Sequence, residues 1–237
     1  MNYFRNCCST LINAILPQCC ALCRATTGRV APICAACENL LPRLPTQRCP
    51  RCADFSAANA ICGHCQRTPP AFDAVLSPFL YAEPVDTLVH RLKYQHQLRL
   101  AAWLGERLAA SIAGAPAAID VDAIIPLPLH PERMKTRGFN QAIEISRPVA
   151  ARLQKPVLRS AAFRIRDTAP QASLKRIDRQ RNIDGAFECH VDLSGKSILI
   201  IDDVLTTGSS ANELARVLKM HGARRVLIGV AARTHQS

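Results

Sequence analysis

Thirteen consecutive residues, Ile198-Leu199-Ile200-Ile201-Asp202-Asp203-Val204-Leu205-Thr206-Thr207-Gly208-Ser209-Ser210, set two adjacent carboxylates between an apolar run and a hydroxyl-rich turn. The backbone N–H groups and hydroxyls of Thr206, Thr207, Gly208, Ser209 and Ser210, placed at a helix N-terminus, suit a phosphate. Asp202 and Asp203 suit sugar hydroxyls or a metal-bound polyol. A plainer reading makes the same residues a helix cap and nothing more. The turn is not a Walker loop, because no Gly-Lys-Ser/Thr follows four spacer residues.

A second chemistry lies in the cysteines, 11 of 12 of which precede residue 66, the other being Cys189. Eight form Cys-x-x-Cys pairs: Cys20 with Cys23, Cys34 with Cys37, Cys49 with Cys52, and Cys62 with Cys65, separated by 10, 11 and 9 residues. Two residues between thiolates let one tight turn aim both sulfurs at one ion, and two such turns complete a tetrahedral zinc site. Four pairs predict two structural zinc ions, with no open position for water or substrate. Pairing neighbours gives Cys20, Cys23, Cys34 and Cys37 for one ion and Cys49, Cys52, Cys62 and Cys65 for the other. Interleaving, or slippage from Cys20 to Cys19, is equally compatible with the spacing. Disulfides need an oxidising compartment and a thioredoxin-like pair needs a βαβ context, and neither surrounds these pairs. His64 reads as an exposed or supporting histidine, and Cys7, Cys8, Cys19 and Cys189 as thiols without a role.

These residues need elements to hold them. The first 16 residues read as a short amphipathic helix. Gln66-Arg67-Thr68-Pro69-Pro70 reads as an extended connector, so a boundary is expected between a cysteine module (1–70) and a second domain (71–237). In the second domain Phe72 to Tyr81 has strand character. Pro84 then starts a helix whose stripe is Val85, Leu88, Val89 and Leu92, with Lys93 near its end. Further expectations are a helix over Leu98 to Ile112, a buried strand over Asp122 to Leu127, and a helix over Phe139 to Leu153 that Pro148 should kink or break. Ile198 to Ile201 is a strand, Leu214, Val217 and Leu218 mark a helix, and Arg225 to Val230 is a last strand, after which only Ala231 to Ser237 follow. Strands alternating with helices predict an α/β fold with a mainly parallel sheet.

The 237 residues are 49% hydrophobic and 20% charged, with 10 Gly and 16 Pro, which excludes a disordered tail or a collagen-like fibre. No apolar run approaches the roughly 18 to 20 residues of a bilayer span. Leu11 to Leu16 is interrupted by Asn13 and is followed by no small-residue cleavage site, so a cytoplasmic location is expected. The net charge of +12 is concentrated in Arg159 to Arg181 and in residues 1–70, each with seven basic residues against two acids. Such charge attracts phosphates without reading sequence. The 11 aromatic residues are scattered and give little sign of a base-stacking platform.

All 13 positions from Ile198 to Ser210 resemble the phosphoribosyl pyrophosphate (PRPP) signature of type I phosphoribosyltransferases. Leu92-Lys93-Tyr94, Pro126-Leu127-Pro128-Leu129 with Arg137-Gly138-Phe139-Asn140-Gln141, and Arg166-Asp167-Thr168 with Gln171, Leu174, Arg181, Asn182 and Ala186-Phe187 narrow the likeness. Together with the cysteine module they make the chain, from about Cys20 to Val230, similar to the competence protein F (ComF/GntX) family.

The resemblance implies a type I phosphoribosyltransferase-like sheet flanked by helices and preceded by a double zinc ribbon. It implies that Asp202 and Asp203 hold the ribose hydroxyls of PRPP, and that Thr206, Thr207, Gly208, Ser209 and Ser210 cradle its 5-phosphate. Lys93, Arg133, Lys135, Arg137, Gly138 and Arg166 would approach the pyrophosphate, with Mg2+ offsetting its charge. Singly, each basic residue could equally be a solvated charge. The central basic stretch would correspond to a mobile loop that closes over the reaction centre.

Three roles follow. One is Mg2+-dependent transfer of phosphoribosyl to a nitrogenous acceptor, with no side-chain nucleophile and any acceptor pocket built from the early helices or the zinc module. A second is a PRPP sensor without turnover. The third is single-stranded DNA handling, with or without catalysis, with Arg176, Arg179 and Arg181 as candidate contacts and competence-machinery proteins as partners; the resemblance links all three roles to natural competence, DNA uptake and the use of imported DNA.

Overall fold

A strand that is apolar at every position is buried on both faces, and this dictates the architecture. The computed structural model describes residues 18–27, 31–115, 120–166 and 183–235. Strands β1 (Ala74–Leu76), β2 (Phe79–Leu80), β3 (Ala123–Pro126), β6 (Ser197–Leu205) and β7 (Arg225–Arg233) form one sheet in the order β1-β7-β6-β3. Strand β2 also pairs with β7, and every pairing in this sheet is parallel. A separate antiparallel pair, β4 (Ala162–Arg164) and β5 (Phe187–Cys189), forms a stem.

Because successive side chains alternate across a strand, β6 feeds two cores. Ile198 and Ile200 join Ile125, Val226 and Ile228 beneath helix α7 (Ser209–Met220), through its Leu214 and Leu218. Leu199 and Ile201 join Ile124 and Leu227 on the other face. That face is covered by α3 (Val85–Gln95), α4 (Leu98–Ala113) and α6 (Gln141–Leu153), through Leu88, Leu92, Leu104, Leu108, Ile145 and Val149. The result is the expected α/β sandwich with a mainly parallel sheet.

Three local expectations are corrected. The single strand over Phe72 to Tyr81 is two short strands, separated where Ser77-Pro78 breaks the ladder. The loop after β3 contains a helix, α5 (Pro131–Arg137), with Pro131 at its first position and His130 Nδ1 accepting from the Glu132 N–H. Helix α6 runs unbroken through Pro148. The proline ring lies against Gly105 of α4, where a Cβ would sit 2.5 Å from the Ile145 carbonyl oxygen, so only glycine permits the close crossing of these helices.

The cysteine module is two copies of one small device. In each, the first pair sits in a knuckle closed by a residue of positive φ, Arg24 at 63° and Ala53 at 56°. Cys20 N–H donates to the Ala25 carbonyl and Cys49 N–H to the Asp54 carbonyl, at 2.8 and 2.7 Å. Each second pair opens a short helix, α1 (Ala35–Asn39) or α2 (Gly63–Arg67), capped by Cys34 or Cys62. The two copies dock on opposite faces of the sheet. Cys20, Ile33 and Leu41 belong to the core beneath α3 and α4, whereas Cys49, Cys52 and Cys65 belong to the core beneath α7. Polar ties reinforce the docking: Arg107 pairs with Glu38 at 3.0 Å, and Arg91 donates to the Ala21 carbonyl.

The helix expected over the first 16 residues, and residues 167–182 of the central basic stretch, lie outside the described residues. Among the described residues no helix is long and apolar enough to cross a membrane.

Candidate functional site

The carboxyl ends of β3, β6 and β2 lie at one edge of the sheet, and the chemistry gathers there. Asp202 and Asp203 belong to β6 itself, which runs four residues beyond the expected Ile201 before turning. The pleat sends them to opposite faces. Asp203, in phase with Leu199 and Ile201, is 3% exposed and pairs with Lys93 Nζ of α3 at 2.9 Å. Asp202, in phase with Ile198 and Ile200, is half-buried and lies in the field of Arg164 on the β4–β5 stem.

The electrostatics follow from this placement. Burial, then the neighbouring Asp203 charge, pushes the Asp202 carboxyl up to about 7, against the pull of Lys93, the Asp203 N–H and Arg164. Burial by itself would lower the Lys93 ammonium, but the Asp203 and Asp202 carboxylates outweigh it and hold it above its ordinary value. Burial also raises Tyr81, which feels Lys93, Asp86 and Asp203. The site is therefore short of positive charge on the Asp202 side. A metal-bound polyol would supply that charge, so the two carboxylates fit a divalent cation such as Mg2+.

Beyond β6 the chain turns through Thr206 and Thr207 to Gly208, whose φ of 80° places it at the N-cap of α7. Thr207 and Ser209 hydroxyls are 2.9 Å apart, and Ser209 N–H approaches Thr207 Oγ1 at 3.4 Å. Thr206 is exposed and Thr207 to Ser210 are half-buried, so the turn is open to a ligand.

Of the residues expected at a pyrophosphate, Arg137 lies within electrostatic reach of Lys93, whose ammonium it pulls down slightly; it sits 5.7 Å from the Tyr94 ring centre and donates to Gln141 at 2.9 Å. Gly138, at φ 74°, ends α5. Asn140 then ties the start of α6 to β3, accepting from the Ala142 N–H and donating to the Leu127 carbonyl. Arg133 and Lys135 lie on α5, where Lys135 pairs with Glu132 at 2.8 Å. Arg166 donates to the Asp184 carbonyl at 2.6 Å across the base of residues 167–182. Arg176, Arg179 and Arg181 lie outside the described residues.

The fold also gathers aromatic rings that are scattered in the sequence. Exposed Tyr94 lies 4.7 Å from His90, and His96 lies 5.5 Å from Phe139. Sequence reasoning gave no role to Arg164, Glu213 or Arg233, all buried. Glu213 accepts from the Gly185 N–H at 2.8 Å and from Arg216, whose guanidinium holds its carboxyl low. The signal for Arg233 is an arginine ending a strand that is otherwise apolar from Val226 to Ala232.

The cysteines group by neighbours: Cys20, Cys23, Cys34 and Cys37 in one set, and Cys49, Cys52, Cys62 and Cys65 in the other, each with sulfurs within 4.8 Å of one another. A tetrahedral ion with bonds of about 2.3 Å requires sulfurs about 3.8 Å apart. Cys23 and Cys34 are 3.7 Å apart, and Cys52 and Cys62 are 3.6 Å apart. Burial opposes ionisation of Cys20 and Cys49, but backbone donors overcome it and bring them to about 6 and 7. In the same sets burial and neighbouring sulfurs push Cys37 up to about 12, while for Cys52 burial dominates and leaves it at about 11. Four thiolates so placed need a dication, and both sets fit structural zinc.

The double zinc ribbon domain family matches residues 11–66, and the phosphoribosyl transferase domain family matches residues 142–237. The DNA utilization protein YhgH of Salmonella typhimurium is 32% identical over 224 residues, covering 92% of this chain and 98% of that protein. Competence protein F of Haemophilus influenzae is 29% identical, over 85% of this chain and 90% of its own. Among solved structures, the glutamine PRPP amidotransferase of B. subtilis superposes on 55% of this chain and 26% of its own, with 16% identity and a TM-score of 0.37.

Proposed function

This chain belongs to the competence protein F family, with a double zinc ribbon followed by a phosphoribosyltransferase domain, and from that membership we propose that it binds PRPP with Mg2+ and transfers phosphoribosyl to a nitrogenous acceptor. The observation that carries the reading is the convergence of Lys93, Asp202, Asp203 and the Thr206–Ser210 turn at one sheet edge. In this reading residues 1–70 and 71–237 are the two functional units. The 5-phosphate sits on the N–H groups of the turn, Asp202 and Asp203 receive the ribose hydroxyls, and Lys93 and Arg137 face the pyrophosphate, with Arg133, Lys135, Gly138 and Arg166 around them. Mg2+ would supply charge neutralisation on the leaving group, and Asp202 and Asp203 would be the carboxylates available to hold it or the hydroxyls bound to it. Displacement of pyrophosphate at C1 needs no side-chain nucleophile, so the residues act by position and charge.

Calorimetric titration of Mg2+ and PRPP into the zinc-loaded protein, beside the Asp202→Asn, Asp203→Asn double variant, tests this. Binding by the wild type and its loss in the variant is the expected result. Absence of binding by a folded, zinc-replete wild type overturns the reading. If PRPP binds but no nucleobase acceptor turns over, the site is a sensor.

A second reading, single-stranded DNA handling in the cytoplasm during competence, is favoured by the charge of +12, by the Tyr94–Arg137 cluster beside Lys93, and by relatives named for DNA utilization and competence. It predicts single-strand affinity that falls steeply with salt, and a shallower slope once Arg176, Arg179 and Arg181 are replaced. Salt-independent or absent binding sinks it.

A further inference from the structure

Arg233 ends β7, is 2% exposed, and joins three places that are far apart in sequence. Its Nε donates to the carbonyl of Cys52, a ligand of the second cysteine set, at 3.0 Å. Its Nη1 shares its two hydrogens among the carbonyls of Thr234 at 2.5 Å, Thr206 at 2.8 Å and Leu205 at 3.2 Å, where β6 passes into the phosphate turn. Its Nη2 lies 3.7 Å from Asp54, whose own carbonyl closes the same knuckle by accepting from Cys49 N–H. A planar guanidinium with five fixed donors can hold such a set, whereas a lysine cannot.

The geometry of the peptide bond gives this bridge a functional sense. In a trans peptide the N–H points opposite to the preceding carbonyl. Turning the Thr206 carbonyl toward Arg233 therefore aims the N–H of Thr207 away from it, as a phosphate cup requires, while the Leu205 carbonyl is held jointly by Arg233 and the Thr234 N–H. The Cys52 carbonyl belongs to a knuckle whose two sulfurs are half of the second set, so an ion bound there would hold it in place.

We infer that Arg233 is a positioning residue through which zinc at Cys49, Cys52, Cys62 and Cys65 sets the Thr207 N–H donor of the phosphate turn, so that loss of this zinc weakens recognition of the 5-phosphate. The inference rests on the PRPP reading of the turn. It assigns the ribbon a part in binding as well as in stability, and it separates the two ends of PRPP. The 5-phosphate depends on Arg233, and the pyrophosphate, held by Lys93 and its neighbours, does not.

The test titrates ribose 5-phosphate, and separately pyrophosphate with Mg2+, into wild type and Arg233→Lys, each with and without zinc. Ribose 5-phosphate should bind about tenfold more weakly to zinc-loaded Arg233→Lys, while pyrophosphate affinity changes less than about twofold. Zinc removal should produce the same selective loss in the wild type and little further loss in Arg233→Lys. Equal weakening of both ligands, or unchanged ribose 5-phosphate binding, overturns the inference. Amide hydrogen exchange at Thr234, whose N–H donates to the Leu205 carbonyl beside Arg233, gives a reading that needs neither ligand nor variant. Protection there should rise when zinc is added to the wild type, and equal protection with and without zinc overturns the coupling. If the wild type binds neither ligand yet shows this zinc-dependent protection, the PRPP reading fails and the coupling stands.

Discussion

Asp203 is almost out of water while its partner Lys93 is partly exposed, so the carboxylate is the member that is a hazard without the other. Lys93→Ala leaves the Asp203 carboxylate buried and unpaired, and should cost about 2 kcal/mol or more in urea unfolding at neutral pH. Asp202 behaves differently. Its carboxyl is raised from the ordinary 3.8 to about 7, so between these values the unfolded chain has already released a proton that the folded chain keeps. Stability contributed by this group therefore falls as pH rises from about 4 to 7. Asp202→Asn should raise the melting temperature clearly at pH 8 and little at pH 4.5, and an equal shift at both would contradict the assignment. On the proposed reading of the site, PRPP affinity should move the other way, strengthening as pH rises through 7, because the ionised carboxylate is the better acceptor for ribose hydroxyls. At this scale the sequence is legible where chemistry is contiguous. The 13 residues of the turn and the cysteine pairs name themselves, whereas Arg164 and Arg233 act alone on strands, and only the folded chain shows what they touch.

Among the elements, the crossing of α4 and α6 is the least forgiving contact. A methyl group on Gly105 would meet the Ile145 carbonyl and the Pro148 ring, neither of which can swing aside. Gly105→Ala should destabilise the protein by about 2 kcal/mol, with the same denaturant slope, as expected for overpacking between two helices. The apolar stripes of α3, α4, α6 and α7 and the runs of β3, β6 and β7 are readable from periodicity, because burial is what they encode. Helix α5 is not, since seven residues bury no side chain and its cue is Pro131 behind a capping His130. The end of β6 is hidden for a related reason. Asp202 and Asp203 look like the close of a strand, yet pairing with β7 carries the ladder to Leu205.

For the whole molecule, the ribbon is built into both cores, so its metal is a determinant of global stability. Metal analysis should find two zinc ions per chain, and Cys49→Ser should retain one. Because Cys49, Cys52 and Cys65 share a core with Phe72 and Leu205, chelation should also lower the melting temperature of the α/β domain, measured by its near-ultraviolet circular dichroism. Spacing predicts a metal module but not its dual docking, because the partners of each knuckle lie far along the chain. That distance has a consequence for biosynthesis. Cys52 and Arg233 are 181 positions apart, and β7 occupies the middle of the sheet between β1 and β6. On the ribosome the thiols emerge early, but the strand that both sheet neighbours and the second knuckle require is translated last among the described strands. The sulfurs of the nascent ribbon therefore meet metal and oxidants well before the surface that will cover them exists.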